Sequence, residues 1–135
     1  MCIRDRTIPS QSRILITSHD AFRYFGEHFG IKVLALQGIN TLAEAGLADR
    51  ANLVQFIKEN QSPALFIESS VNPKALQEIA RETGSVIGGT LFSDALGTEA
   101  QRVVGPNGEK LSTATWQGMM AHNLITIQKA LVQAP

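Results

Sequence analysis

Arg13-Ile14-Leu15-Ile16-Thr17-Ser18-His19-Asp20-Ala21-Phe22-Arg23-Tyr24-Phe25 changes character in its middle, and that change sets the fold class. Its first five residues are a short apolar, β-rich run, the mark of a buried strand. Ser18 is a natural N-cap. A helix is therefore expected from His19 to about His28, with Phe22, Phe25 and Phe29 at helical spacing and Gly30 as its stop. The strand-then-helix unit recurs downstream. Lys32 to Leu36 reads as a second strand and Gln37 to Gly46 as a loop. Ala48 to Asn60 reads as a helix buried through Leu53, Val54 and Ile57 and ended by Ser62-Pro63. Ala64 to Ile67 is a third strand. Asn72-Pro73 opens a third helix, because Asn caps and Pro at the first helical position forfeits no needed N–H. Leu76, Ile79 and Ala80 form its inner face and Gly84 its stop. Val86 to Phe92 is a fourth strand, interrupted by Gly88-Gly89. Gly97 to Ala114 is a long loop with a turn at Gly105-Pro106-Asn107-Gly108, open to a hairpin. A last helix, about Thr115 to Gln133, carries the stripe Trp116, Met120, Leu124, Ile127 and Leu131. This alternation predicts an α/β fold: a four-stranded parallel sheet with helices on both faces and right-handed crossovers.

Composition narrows the function. The 135 residues are about one domain, 44% apolar and 18% charged, which excludes a disordered chain. Twelve basic residues balance twelve acidic ones, so charge makes no case for nucleic acid or an anionic membrane. No apolar run approaches the roughly 20 residues that span a bilayer. A single cysteine, Cys2, excludes an internal disulfide, and no apolar segment precedes it as in a lipoprotein signal. Met1-Cys2-Ile3-Arg4-Asp5-Arg6 fits no pattern that follows and resembles translated adaptor sequence. Residues 1–7 are set aside as a non-native leader, with 8–135 as the folded unit and the native start expected upstream.

In an open parallel sheet, ligands bind beyond the carboxyl ends of the strands, near the point where strand order reverses. Ser18-His19-Asp20 follows the first strand, Gln37-Gly38 the second, Glu68-Ser69-Ser70 the third and Ser93-Asp94 the fourth. Imidazole and carboxylates on one rim suit a borderline divalent cation such as zinc or manganese. In the first turn of a helix, His19 would be held neutral by the helix dipole, as a metal ligand must be; a capping or surface histidine is the plain alternative. Asp94 is open to ligation or to capping a turn. Glu68 reads as an outer hydrogen-bond partner of the site or a structural acid, ahead of a direct binding carboxylate. His28 reads as surface, and His122 as packing or a structural hydrogen bond. Met119 and Met120 read as core rather than soft ligands, and Trp116 as packing rather than a stacking platform. Ser18, His19 and Asp20 are contiguous and cannot converge as a catalytic triad. Gly-x-Ser-x-Gly, a phosphate-binding Gly-Lys-Ser/Thr loop and Cys-x-x-Cys are all absent.

The residues resemble a family. Ile16-Thr17-Ser18-His19-Asp20-Ala21-Phe22-Arg23-Tyr24-Phe25 is similar to the segment bearing the third metal ligand in the cluster A-I solute-binding proteins of bacterial metal ABC transporters. Gln37-Gly38-Ile39-Asn40-Thr41, Glu44-Ala45-Gly46 and Phe66-Ile67-Glu68-Ser69-Ser70-Val71 match further motifs in order. Gly88-Gly89-Thr90-Leu91-Phe92-Ser93-Asp94-Ala95-Leu96-Gly97 resembles the fourth-ligand segment, and Met119-Met120-Ala121-His122-Asn123 the last helix. The Gly97–Ala114 loop is longer and more polar than in many members, and Trp116 stands where tyrosine is common.

The resemblance implies one lobe of a two-lobed binding protein, with His19 and Asp94 as metal ligands and Glu68 beside them. It implies zinc or manganese as cargo, with iron(II) also admitted; imidazole at position 19 leans toward zinc. The other two ligands, both histidines, belong to an N-terminal lobe that would lie upstream with the linking helix. The implied partners are that lobe and an ABC permease. The implied setting is periplasmic or extracellular, membrane-anchored as a lipoprotein when intact, and the implied role is transport, not catalysis. Adhesion is known among such families. The other function class open to these residues is a small doubly wound, metal-dependent hydrolase using Glu68, Asp94 and His19.

Overall fold

Two apolar layers, one on each face of a sheet, organise the chain. The computed structural model describes residues 8–37, 46–60 and 64–132. After a 3-10 turn at Ser10–Ser12, the elements run β1 (Ile14–His19), α1 (Arg23–Phe29), β2 (Lys32–Gln37), α2 (Leu47–Asn60), β3 (Ala64–Glu68), α3 (Lys74–Thr83), β4 (Val86–Leu91), β5 (Arg102–Val104), β6 (Lys110–Ser112) and α4 (Trp116–Val132). Strands β1 to β4 form a parallel sheet in the order β2-β1-β3-β4, as expected. The expected leader at 1–7, the Gly38 to Ala45 part of the loop, the Ser62-Pro63 stop and the end of the last helix at Gln133 lie outside the described residues.

Both faces of the central strands are apolar because both are covered. Leu15, Ala64, Phe66 and Leu91 pack with Phe22, Phe25 and Phe29 around α1 and with Ile127 and Leu131 of α4. Alternate residues, Ile16 and Leu65, meet Leu53, Val54 and Ile57 of α2 and Leu76, Ile79 and Ala80 of α3. Those helix faces are the ones the periodicity predicts. Gly30 and Gly84 end α1 and α3 in the left-handed region, with φ of 65° and 73°. Asn72 Oδ1 accepts from the Lys74 N–H at 3.0 Å, so the Asn-Pro start operates with the helix opening one residue late. The Gly97–Ala114 loop contains an antiparallel hairpin, β5 with β6, closed through Gly105 and Gly108.

Two expectations are corrected. The first helix begins at Arg23, not His19, and His19 is the last residue of β1. Of the expected α4 stripe, Ile127 and Leu131 are buried, but Trp116, Met120 and Leu124 are not, and Gly118, Met119 and Asn123 complete the buried face instead. Trp116 is 64% exposed. It lines an open apolar groove of about 400 Å³ with Phe25, Phe29, Met120 and Leu124. The reason lies in β4. Gly88 and Gly89 remove the side chains that would hold the helix away from the strand, so α4 sets Ala130 and Thr126 against them. A Cβ at Gly88 would fall 2.7 Å from Ala130 Cβ and 2.9 Å from Phe66 Cε1.

Gly88→Val should therefore overpack the α4–β4 seam and cost about 1–3 kcal/mol in urea denaturation. Wild-type stability in that variant would show that the seam has slack.

Candidate functional site

The chain leaves β1 for β2 on one side and returns to β3 on the other, so the carboxyl ends of β1 and β3 flank the point where strand order reverses. His19 ends one strand and Glu68 the other. What extends β1 past Thr17 is hydrogen bonding. His19 pairs in register with Gln37 of β2. Glu68 Oε1 accepts from the Ser18 N–H at 2.8 Å and the His19 N–H at 3.4 Å. Thr17 Oγ1 donates to the His19 carbonyl at 2.9 Å. These bonds commit the backbone of Ser18 and His19 to the strand and to Glu68, and the helix opens only at Arg23. The helix-dipole argument for His19 consequently falls, and side chains around the ring take the place of a helix terminus.

Glu68 is the first of these side chains. It is 2% exposed and His19 3%. The second oxygen of Glu68 touches His19 Nδ1. The other ring nitrogen, Nε2, lies 3.2 Å from Asp94 Oδ2, on a side chain that is 60% exposed. The arrangement is a relay from a buried carboxylate through an imidazole to a carboxylate at the surface. Burial pushes the Glu68 carboxyl above the ordinary glutamate value, against the opposing pull of His19 and of the Ser18 and His19 N–H groups.

The structure thus brings together the three residues singled out in the sequence, one from beyond each of β1, β3 and β4. It keeps the other histidines apart from them. His122 Nε2 lies 3.0 Å from the Thr90 carbonyl, and His28 is exposed against the Phe29 ring. Met119 is buried. Among the described residues, no group of three or more His, Cys, Asp or Glu is arranged to hold a metal ion. Ser70 is an addition that residue type did not reveal. Its hydroxyl donates to Asp94 Oδ2 at 3.4 Å and lies 3.1 Å from Ser93 Oγ. Its place just past the third strand was the available signal.

A carboxyl whose value is raised by folding takes up a proton on folding, so its stabilising contribution is present below the unfolded value and is lost as pH rises through the folded one. Urea titrations of the metal-free chain from about pH 4 to about pH 8 should show Glu68→Gln gaining on wild type as pH rises. A difference that does not change with pH would show that burial leaves Glu68 unperturbed.

With this geometry in hand, the chain can be set beside known proteins. The family model of ZnuA, the periplasmic component A of a zinc-uptake complex, matches residues 4–130. The manganese-binding lipoprotein MntA of Bacillus subtilis is 43% identical over 129 residues, covering 92% of this chain and 39% of that protein. The zinc-binding protein TroA of Treponema pallidum is 40% identical over 133 residues, covering 95% and 40%. The solved structure of periplasmic zinc-binding TroA superposes with a TM-score of 0.85 at 36% identity, covering 96% of this chain and 45% of that one. The chain spans about two-fifths of the length of the curated relatives it matches. It belongs to the ZnuA family of metal-uptake binding proteins, a family of transport components rather than enzymes.

Proposed function

We propose that the chain is the C-terminal lobe of an extracytoplasmic binding protein that captures a divalent transition metal for an ABC importer, with His19 Nε2 and the Asp94 carboxylate as its two ligands. The observation that carries this reading is the relay from Glu68 through His19 to Asp94. Metal-binding histidines characteristically give their second ring nitrogen to a carboxylate, which fixes the tautomer and raises the basicity of the ligating nitrogen. Glu68 at Nδ1 leaves Nε2 to face Asp94. The spacing also suits an ion. Zn–N and Zn–O bonds of roughly 2.0–2.2 Å at a tetrahedral centre set two donors roughly 3.3–3.6 Å apart, slightly wider than the 3.2 Å between Nε2 and Oδ2.

Two donors are half of what a zinc site takes. The share of each relative that this chain spans supports placing the remaining ligands in an N-terminal lobe of the intact protein. Relatives named for manganese and for zinc support either metal as cargo. Iron(II) is open to the same nitrogen and oxygen donors, and imidazole at position 19 leans the choice toward zinc. In this reading residues 1–7 are a non-native leader, and the intact protein works outside the cytoplasm, anchored as a lipoprotein beside its permease. The site holds and releases its ion without chemistry on a substrate. Neither the fold nor the relatives favour the hydrolase reading.

Ligation needs a neutral imidazole and ionised carboxylates, so affinity should fall on acidification. Calorimetry with zinc or manganese should find the 135-residue chain binding far more weakly than an intact two-lobed relative. His19→Ala and Asp94→Ala should each weaken that binding further, without removing it altogether. Tight binding by this chain, unaffected by His19→Ala, would overturn the reading.

A further inference from the structure

β4 is an edge strand, and its outer edge is covered in an unusual way. Ser69 donates its N–H to the Leu91 carbonyl at 2.9 Å, so Leu91 turns its backbone groups toward β3. Thr90 and Phe92, its neighbours, turn theirs outward, where an edge strand normally leaves them to water. Here α4 takes them. His122 Nε2 lies 3.0 Å from the Thr90 carbonyl. Asn123 Oδ1 accepts from the Phe92 N–H at 2.9 Å, and Asn123 Nδ2 donates to the Phe92 carbonyl at 2.7 Å. One carboxamide thus makes both bonds that a fifth strand would make at that residue.

Asn123 is 1% exposed and is the polar exception on the buried face of its helix. Burying an amide is costly unless it is fully bonded, and both bonds of this one end on a single residue. Phe92 is two positions before Asp94 and one past the end of β4. Beyond it the sheet ladder no longer holds the chain, and Asp94 is steadied by Ser70 at 3.4 Å. The carboxamide is therefore the last backbone anchor before the carboxylate. We propose that Asn123 is a positioning residue for Asp94, holding the end of β4 so that the carboxylate meets His19 Nε2. This rests on the reading of Asp94 as a metal ligand.

A double-mutant cycle on the full chain tests it, with Co²⁺ as the probe and its visible absorption as the readout. Asn123→Ala should weaken Co²⁺ binding by about tenfold, the lower end of what loss of an outer partner costs a metal site. The Asn123→Ala/Asp94→Ala double variant should bind no more weakly than Asp94→Ala alone, because Asn123 acts through Asp94. Asn123→Asp, which is isosteric and keeps the acceptor for the Phe92 N–H but not the donor for its carbonyl, should fall between wild type and alanine and carries the test if the alanine variant does not fold. Losses that multiply in the double variant, or no loss on removing Asn123, overturn the positioning role while leaving Asp94 as a ligand. Co²⁺ binding that ignores Asp94→Ala instead overturns the ligand reading itself, and the inference with it.

Discussion

A carboxylate almost without access to water holds the carboxyl ends of the two central strands together. Glu68 spends one oxygen on the backbone N–H groups of Ser18 and His19 and presents the other to the His19 ring. A buried backbone donor must find a partner, and beyond Thr17 this side chain provides it. The acceptor lies 50 positions away from Ser18 in the chain. It therefore ties the local path of β1 to the tertiary fold. Because the strand continues to His19, the imidazole is carried to the rim as the end of a strand rather than the start of a helix. A strand end seated in a paired sheet is a more precise mount than a loop.

The same logic explains why the site is built from strands β1, β3 and β4 and not from β2. β1 and β3 are adjacent, and their connections diverge, which opens the crevice between their ends. β4 borders β3 on its far side and reaches the crevice only through the residues after Leu91. Gly88 and Gly89 let α4 press close to β4, and that closeness is what allows a side chain as short as Asn123 to bond the Phe92 backbone. Packing and site geometry are therefore one problem on this edge: the glycines set the helix distance, and the helix distance permits the clamp.

Most of the fold was legible because it follows from periodicity. Leu53, Val54 and Ile57, and Leu76, Ile79 and Ala80, repeat at helical spacing and are buried as a set. The runs at Ile14, Lys32 and Ala64 are short and continuous in apolar or β-branched character, as strands of a covered sheet are; Val86 and Ile87 open the edge strand and are exposed. The failures share a cause, which is that local preference loses to a distant partner. Ser18 has the chemistry of a cap, yet its N–H is claimed by Glu68. Trp116 and Met120 continue the apolar stripe of Ile127 and Leu131, yet at the start of α4 Gly118, Met119 and Asn123 are buried in their place, Asn123 bonded to the Phe92 backbone. At the site, His19, Glu68 and Asp94 could be found as the polar residues following apolar strands. Their order in the relay, and the parts played by Ser70 and Asn123, depend on which strands are neighbours and could not be.

On the proposed ligand reading, the geometry bears on how an ion would be released. His19 is backed by Glu68 and Asp94 by Ser70, an arrangement that limits how far either would have to move as an ion came or went. Rigid donors favour fast and reversible exchange when they are few, because two bonds leave an ion still largely hydrated. Tight capture then has to come from donors on a separate body. If the intact protein closes such a body over this rim, affinity is gained through the relative position of the two lobes, and a small opening forfeits the bonds from one side at once. A half-site that is preorganised but weak alone is the form a handover protein requires: strong holding and complete release differ by a hinge motion, with no change in the donors themselves.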